Sequence, residues 1–281
     1  MIQNHMRAIK RIITMEKQTF SDSFSSHGFR GDPDTSPFLN LDNFHMSQPT
    51  FRPHPHAGFS AVTYMFEDSR GSFTNRDSFG DHSVIAPGGL HWTQAGSGMM
   101  HEEAPVNGGT DCHGLQMFVK LAAANELAPP RAFHLEPGEV PVLETDFSKI
   151  RIVVGEFQDT ASPLRDLLTP INLFDVYLRE TSTFRFEAPD DVTAFAFVID
   201  GSIQVNDQRV QKNEVVLFEE RGGRIEIQPA SQNAQFLFLS GTKIPEPIVW
   251  SGPFCMSSTE RLLGAKQRFA NGAVVTLSPS F

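Results

Sequence analysis

Short apolar segments, mostly four to eight residues long, recur along nearly the whole 281-residue chain, each closed off by Gly, Pro, Asn, Asp or Ser. They fall at 59–66, 83–86, 114–121, 150–154, 173–178, 192–199, 215–218, 225–227 and 236–239. Runs of that length read as strands, because a helix needs ten or more residues to present a buried face. Their spacing argues against alternating strand–helix units and predicts an all-β sandwich or barrel. The turns are equally explicit. Pro87-Gly88 fits the central pair of a type II turn. Asp200-Gly201 and Asn206-Asp207 fit hairpin turns, whose residues must tolerate positive φ.

Few helices are expected. Ser162-Pro163 ahead of LRDLL reads as an N-cap followed by proline at the first helical position. Ser257-Ser-Thr-Glu260 reads as a capping box that opens a helix over 259–269. The two halves share a rhythm of strand, acidic-glycine corner, strand, turn and strand. Glu67-Asp68-Ser-Arg-Gly71 and Ile199-Asp200-Gly201 are the comparable corners. The expected organisation is one unit over 1–134, a Pro-rich bridge over 135–169 and a second unit over 170–281 that carries the C-terminal helix.

Charge and cysteine content narrow the function classes. With 23 basic and 33 acidic residues the formal net charge is −10, which opposes direct nucleic-acid binding. The one basic cluster, Arg7, Lys10 and Arg11, reads as a solvated segment. Cys112 and Cys255 are the only cysteines and there is no CxxC, so neither a disulfide scaffold nor a thiolate metal site is expected. The opening MIQNHMRAIKRIITM lacks the apolar core and cleavage site of a signal peptide. No apolar run approaches the ~18 residues of a membrane span. The reading is a cytoplasmic protein, or also a nuclear one in a eukaryote, with no membrane partner.

Two words carry the chemistry: His54-Pro55-His56 and His101-Glu102-Glu103. Residues i and i+2 of a strand share a face, so each word can aim two ligands into one cavity. The setting of the second word, after the Gly-rich corner Ala95-Gly-Ser-Gly98, lets the backbone turn closely there. All ten histidines lie at or before His134, so histidine chemistry is confined to the first half. His5, His27, His45, His113 and His134 lack partners at ligand spacing, and His82 and His91 are candidates for a pocket wall. Three imidazoles and a carboxylate suit Fe, Mn, Co, Ni, Cu or Zn. They leave two positions of a six-coordinate ion open, as catalytic sites do. Met99, Met100, Phe59, Phe66, Phe79, Trp92 and Leu115 are candidates for an apolar wall, with core packing the simpler role for each. No GxSxG, GxxxxGK[ST] or HExxH is present.

HPHAGFSAVTYMFED, APGGLHWTQAGSGMMHEEAP and HGLQMFVKL, followed by VVGEF and SGPFCMSSTE, closely resemble the pirin family of the cupin superfamily. The resemblance spans nearly the whole chain and is most specific in the first half. It implies two tandem cupin (jelly-roll type) β-barrels, with one metal, usually Fe(II), in the N-terminal barrel. It matches His54, His56, His101 and Glu103 to the family's ligands; Glu103 is also the candidate general base for a substrate hydroxyl once it detaches from the ion. It implies either of two roles. One is quercetin 2,3-dioxygenase activity, in which O₂ opens the central ring of a flavonol and releases carbon monoxide and a depside. The other is metal- and redox-dependent binding of a regulatory protein partner. The chain departs from the family at Ala57, where arginine is common, and in the polar opening SDSFSSHGFRGDPDTSP. Both places are expected to border the cavity mouth.

Overall fold

The structure is a computed structural model that describes residues 5–281; residues 1–4, part of the segment read as free of a signal peptide, lie outside the described residues. The expected strands form, most of them slightly longer than their apolar stretch. Residues 114–121 sit in Cys112–Lys120, and 192–199 in Val192–Asp200. The ladder continues past the hydrophobic pattern because backbone groups need pairing whatever the side chain. Gly88 has φ +86° and its neighbour Gly89 N–H donates to Ala86 O at 2.8 Å, the type II turn read from Pro87-Gly88.

The chain forms two compact units. One, the histidine unit, comprises Lys17–Pro33, Pro37–Glu139 and Ile244–Phe281. The second comprises the described residues up to Glu16, Asp34–Ser36 and Val140–Lys243. Both ends of the chain depart from the boundaries expected from sequence. Ile9–Thr14 pairs with Glu214–Phe218 in the second unit. Helix Thr259–Ala270 and strands Val249–Ser251 and Phe254–Met256 belong to the histidine unit. Pairing between segments so distant in sequence leaves no local pattern to read.

Each unit has a seven-stranded and a four-stranded antiparallel sheet. In the histidine unit the larger sheet runs Arg131–Leu135, Leu90–Gln94, Phe59–Met65, Cys112–Lys120, Phe38–Met46, Phe24–Arg30 and Lys17–Ser21. The smaller runs His54–His56, Met99–Pro105, Phe73–Asp77 and His82–Ile85. Neither unit closes into the expected barrel: side chains, not ladder hydrogen bonds, join the sheets. In the second unit Phe174, Phe236 and Phe238 from one sheet and Phe184, Ile225 and Ile227 from the other fill one core. This is the two-sheet, jelly-roll form of a cupin.

Three local readings need correction. No helix forms after Ser162. Seven residues from Pro163 to Thr169 precede Pro170, the pre-proline residue disfavours helix, and so short a helix does not nucleate. Ser162 Oγ accepts from Leu164 N–H at 3.3 Å, as a cap would, and donates to Val153 O at 2.9 Å, but Asp166 takes φ +60° and no helix follows. The C-terminal helix starts at Thr259 as expected, but its N-cap is Ser258 rather than Ser257: Ser258 accepts from Arg261 N–H at 3.2 Å, so Glu260 does not close a capping box. The basic trio is an anchor rather than a solvated segment. Arg7 is 1 % exposed and donates to the carbonyls of Glu219 and Val192, while Lys10 and Arg11 pair with Asp34. Among the described residues no helix is long and apolar enough to cross a membrane.

Candidate metal centre

The His-Pro-His word sits on an edge strand, which is where a sheet accepts proline, since Pro55 has no N–H to give a second neighbour. That strand pairs with Met99–Pro105 so that His54 lies opposite His101 and His56 opposite Met99. The strand period then turns all three imidazoles to the inner face. Their candidate ligand atoms lie within 4.8 Å of one another. The ring centroids are 4.7 to 4.9 Å apart.

Each ring is held through Nδ1. His54 Nδ1 donates to Arg52 O at 2.9 Å, His56 Nδ1 to Pro253 O at 3.4 Å, and His101 Nδ1 to Asn75 Oδ1 at 3.2 Å. A carbonyl oxygen can only accept, so each Nδ1 carries its proton and Nε2 is the nitrogen available to a metal. Burial holds all three histidines neutral. His56 falls to about 3, from desolvation first and then its neighbour His54. Desolvation likewise lowers His54 and takes His101 well below the usual range. The bond to Pro253 depends on the C-terminal strand Phe254–Met256, which bridges to Ala57. Gly58 makes that approach possible: it has φ +84°, and a Cβ there would stand 1.9 Å from Cys255 O.

Glu103 lines the same cavity but stands outside the imidazole trio. Its Oε1 accepts from Thr63 Oγ1 at 2.7 Å, across from the larger sheet. Desolvation raises its carboxyl to about 7, against the lowering effect of that hydrogen bond. A carboxyl so placed changes protonation readily near neutral pH, which suits proton transfer.

The cavity has a volume of about 240 Å³. Its wall is aromatic, from Phe24, Phe44, Phe51, Phe73 and Phe118, with Arg30, Asn40, Asp42 and Gln116 as the polar part. It reaches the surface where Phe51 is 44 % exposed and the Arg30 side chain 64 % exposed. Phe24 and Arg30 come from the polar opening segment, which does border the cavity. Ala57 does not: it is 1 % exposed and packs on Phe254, Met256, Leu262 and Ala265. The seven apolar residues proposed as a wall do not line the cavity. Most of them, such as Phe59 and Trp92, are core residues, and Phe79 is exposed at a turn. His82 is exposed, and His91 is buried without lining the cavity. His113 is a structural residue, stacked between His45 and Phe66 and bonded to Asp68 and Asn43. Both cysteines are buried, with thiols pushed up to about 11 at Cys112 and about 12 at Cys255, too high to act as thiolates.

Sequence reasoning missed Thr63, Gln116 and Asn75. The first two carried a signal, since each is a hydrogen-bonding side chain set among apolar neighbours of a largely buried strand. Asn75 lies in FTNRD, a strand with no apolar alternation to make it stand out.

The donor set fits a transition metal: neutral imidazoles with their second nitrogens tied down, and a carboxylate beside them. Comparisons with known proteins place the fold and the family. Residues 5–119 match the Pirin family and residues 173–275 match the Pirin C-terminal cupin domain. A pirin-like protein of Caulobacter vibrioides is 33 % identical over 243 residues, covering 84 % of this chain and 86 % of that protein. A Pseudomonas aeruginosa protein, provisionally named a quercetin 2,3-dioxygenase, is 32 % identical over 252 residues, covering 85 % of this chain and 86 % of that one. The crystal structure of quercetin 2,3-dioxygenase from Acinetobacter baumannii superposes with a TM-score of 0.86 at 25 % identity, covering 98 % of this chain and 100 % of that one. A bacterial pirin from Escherichia coli in complex with nickel(II) shares the fold, with a TM-score of 0.65 at 15 % identity over 85 % of this chain and 99 % of that one.

Proposed function

The chain belongs to the pirin family, and from that premise we propose that it is a metal-dependent dioxygenase that opens the central ring of a flavonol such as quercetin with O₂. His54, His56, His101 and Glu103 hold one divalent transition ion, Fe(II) first, with Mn, Co, Ni, Cu or Zn as alternatives. When bound, that ion acidifies the substrate hydroxyl and brings substrate and O₂ together.

The protein's own groups do the rest. The phenyl walls take up the flat rings and exclude water. Glu103, once loosened from the ion, accepts the proton of the substrate hydroxyl, with Thr63 holding one carboxylate oxygen. The ring then takes up O₂ and leaves as a depside and carbon monoxide.

The observation that carries this reading is the shared cavity. Three imidazoles and a carboxylate open into a space walled by five phenylalanines. Such a pocket suits an aromatic small molecule better than a protein partner. Oxygen uptake with quercetin, on protein loaded with Fe(II), Mn(II) or Cu(II), tests it. The expected result is one O₂ consumed and one carbon monoxide released per flavonol, abolished in Glu103→Gln. A rate no higher than that of free metal overturns it.

A further inference from the structure

His54 and His56 lean on backbone carbonyls, which any sequence supplies. His101 alone leans on a side chain, and that side chain is itself held. Asn75, 0 % exposed, lies on the neighbouring strand of the smaller sheet, diagonal to His101, whose direct partner is Asp77. Asn75 Nδ2 donates to Asp81 Oδ2 at 3.0 Å, and Ser83 Oγ donates to the same carboxylate at 2.8 Å. Asp81 stands near the turn of the hairpin, with its side chain 28 % exposed. Its backbone N–H is fixed at 3.0 Å by Asp77 Oδ1.

An ionised carboxylate only accepts, so Asp81 draws the NH₂ end of the Asn75 amide toward itself. The carbonyl end must then face His101 and can only accept the Nδ1 proton. The amide orientation thus selects the His101 tautomer that leaves Nε2 bare for a metal. Without Asp81 the amide is free to turn over. It would then present N–H to Nδ1, favour the proton on Nε2, and block ligation.

We propose that Asn75 and Asp81 are positioning residues that set the tautomer and ring orientation of His101 from the outer edge of the hairpin. The inference rests on the metal-binding reading of His54, His56 and His101. It makes one ligand of the three adjustable through a chain of side chains that ends near solvent.

The test is Ni(II) affinity, measured by competition with a chelating dye, alongside the visible spectrum of the Co(II)-loaded protein and the melting temperature of the metal-free protein. Asn75→Ala and Asp81→Ala should each weaken Ni(II) binding, by on the order of 10- to 100-fold, and shift the Co(II) bands. Asp81→Asn, which still offers Asn75 an acceptor, should recover most of the affinity. Ser83→Ala, which removes one donor to the same carboxylate but leaves the Asn75–Asp81 hydrogen bond, should bind Ni(II) like the wild type. Wild-type binding and spectra in both alanine variants at 75 and 81 overturn the proposal. So does a loss shared equally by Ser83→Ala and tracking melting temperature, which would mark plain destabilisation of the hairpin. A wild-type protein that binds neither ion overturns the metal reading beneath it, a result distinct from both.

Discussion

Thr63 Oγ1 donates to Glu103 Oε1 across 2.7 Å, tying a strand inside the larger sheet to the strand that carries His101. The same hydroxyl lies 2.9 Å from Gln116 Oε1 and has one proton to give. Glu103 is thus buried with a single side-chain donor offsetting its desolvation, which is why its carboxyl rises to about 7 rather than staying in the usual carboxylate range.

Glu103→Gln should alter how metal-free stability depends on pH. The folded carboxyl is raised above its unfolded value, so its contribution is fully present below about 4.5 and is lost as pH rises through about 7. The shift corresponds to a loss of about 3 kcal/mol at most. Glutamine has no proton to lose. Thermal unfolding of the metal-free proteins should give similar melting temperatures at pH 5, and a higher one for the variant by several degrees at pH 8. Parallel curves across that range would contradict the assignment.

Thr63→Val keeps the shape and removes the donor. It should raise the Glu103 carboxyl further and move the acidic limb of kcat/KM for quercetin to higher pH. Loss of one buried hydrogen bond should cost about 1 kcal/mol of stability. An unmoved acidic limb would show that Glu103 is not the base whose ionisation governs turnover.

Ala57→Arg restores the residue common in the family, and here it should be destructive. Ala57 is 1 % exposed against Phe254 and Met256, and Arg would bury an unpaired charge there. Strand Phe254–Met256, and with it the turn that supplies Pro253 O to His56, would lift away. A drop in melting temperature together with weaker metal binding is expected. An unchanged melting temperature would mean that the C-terminal strand packs more loosely than this contact implies.

Much of this was legible because strands write themselves in short range. The i, i+2 spacing of His54 with His56 and of His101 with Glu103 predicted shared faces, and Pro87-Gly88 predicted its turn. The cavity wall was not legible. Phe24, Phe44, Phe51, Phe73 and Phe118 come from well-separated segments, and only sheet register and the facing of two sheets bring them together. The same holds for Ile9–Thr14 and for the C-terminal helix, whose places depend on pairing over long sequence separations. The short helix expected after Ser162-Pro163 failed for a local reason that was present in the sequence: Pro170 leaves no room for a second turn.

Metal stoichiometry tests the centre most directly. Protein loaded with Fe(II) under anaerobic conditions, freed of excess and analysed for its elements, should hold one ion per chain, and His101→Ala should hold little or none. One equivalent retained by a folded His54→Ala/His56→Ala/His101→Ala protein, or none held by the wild type, would contradict the account.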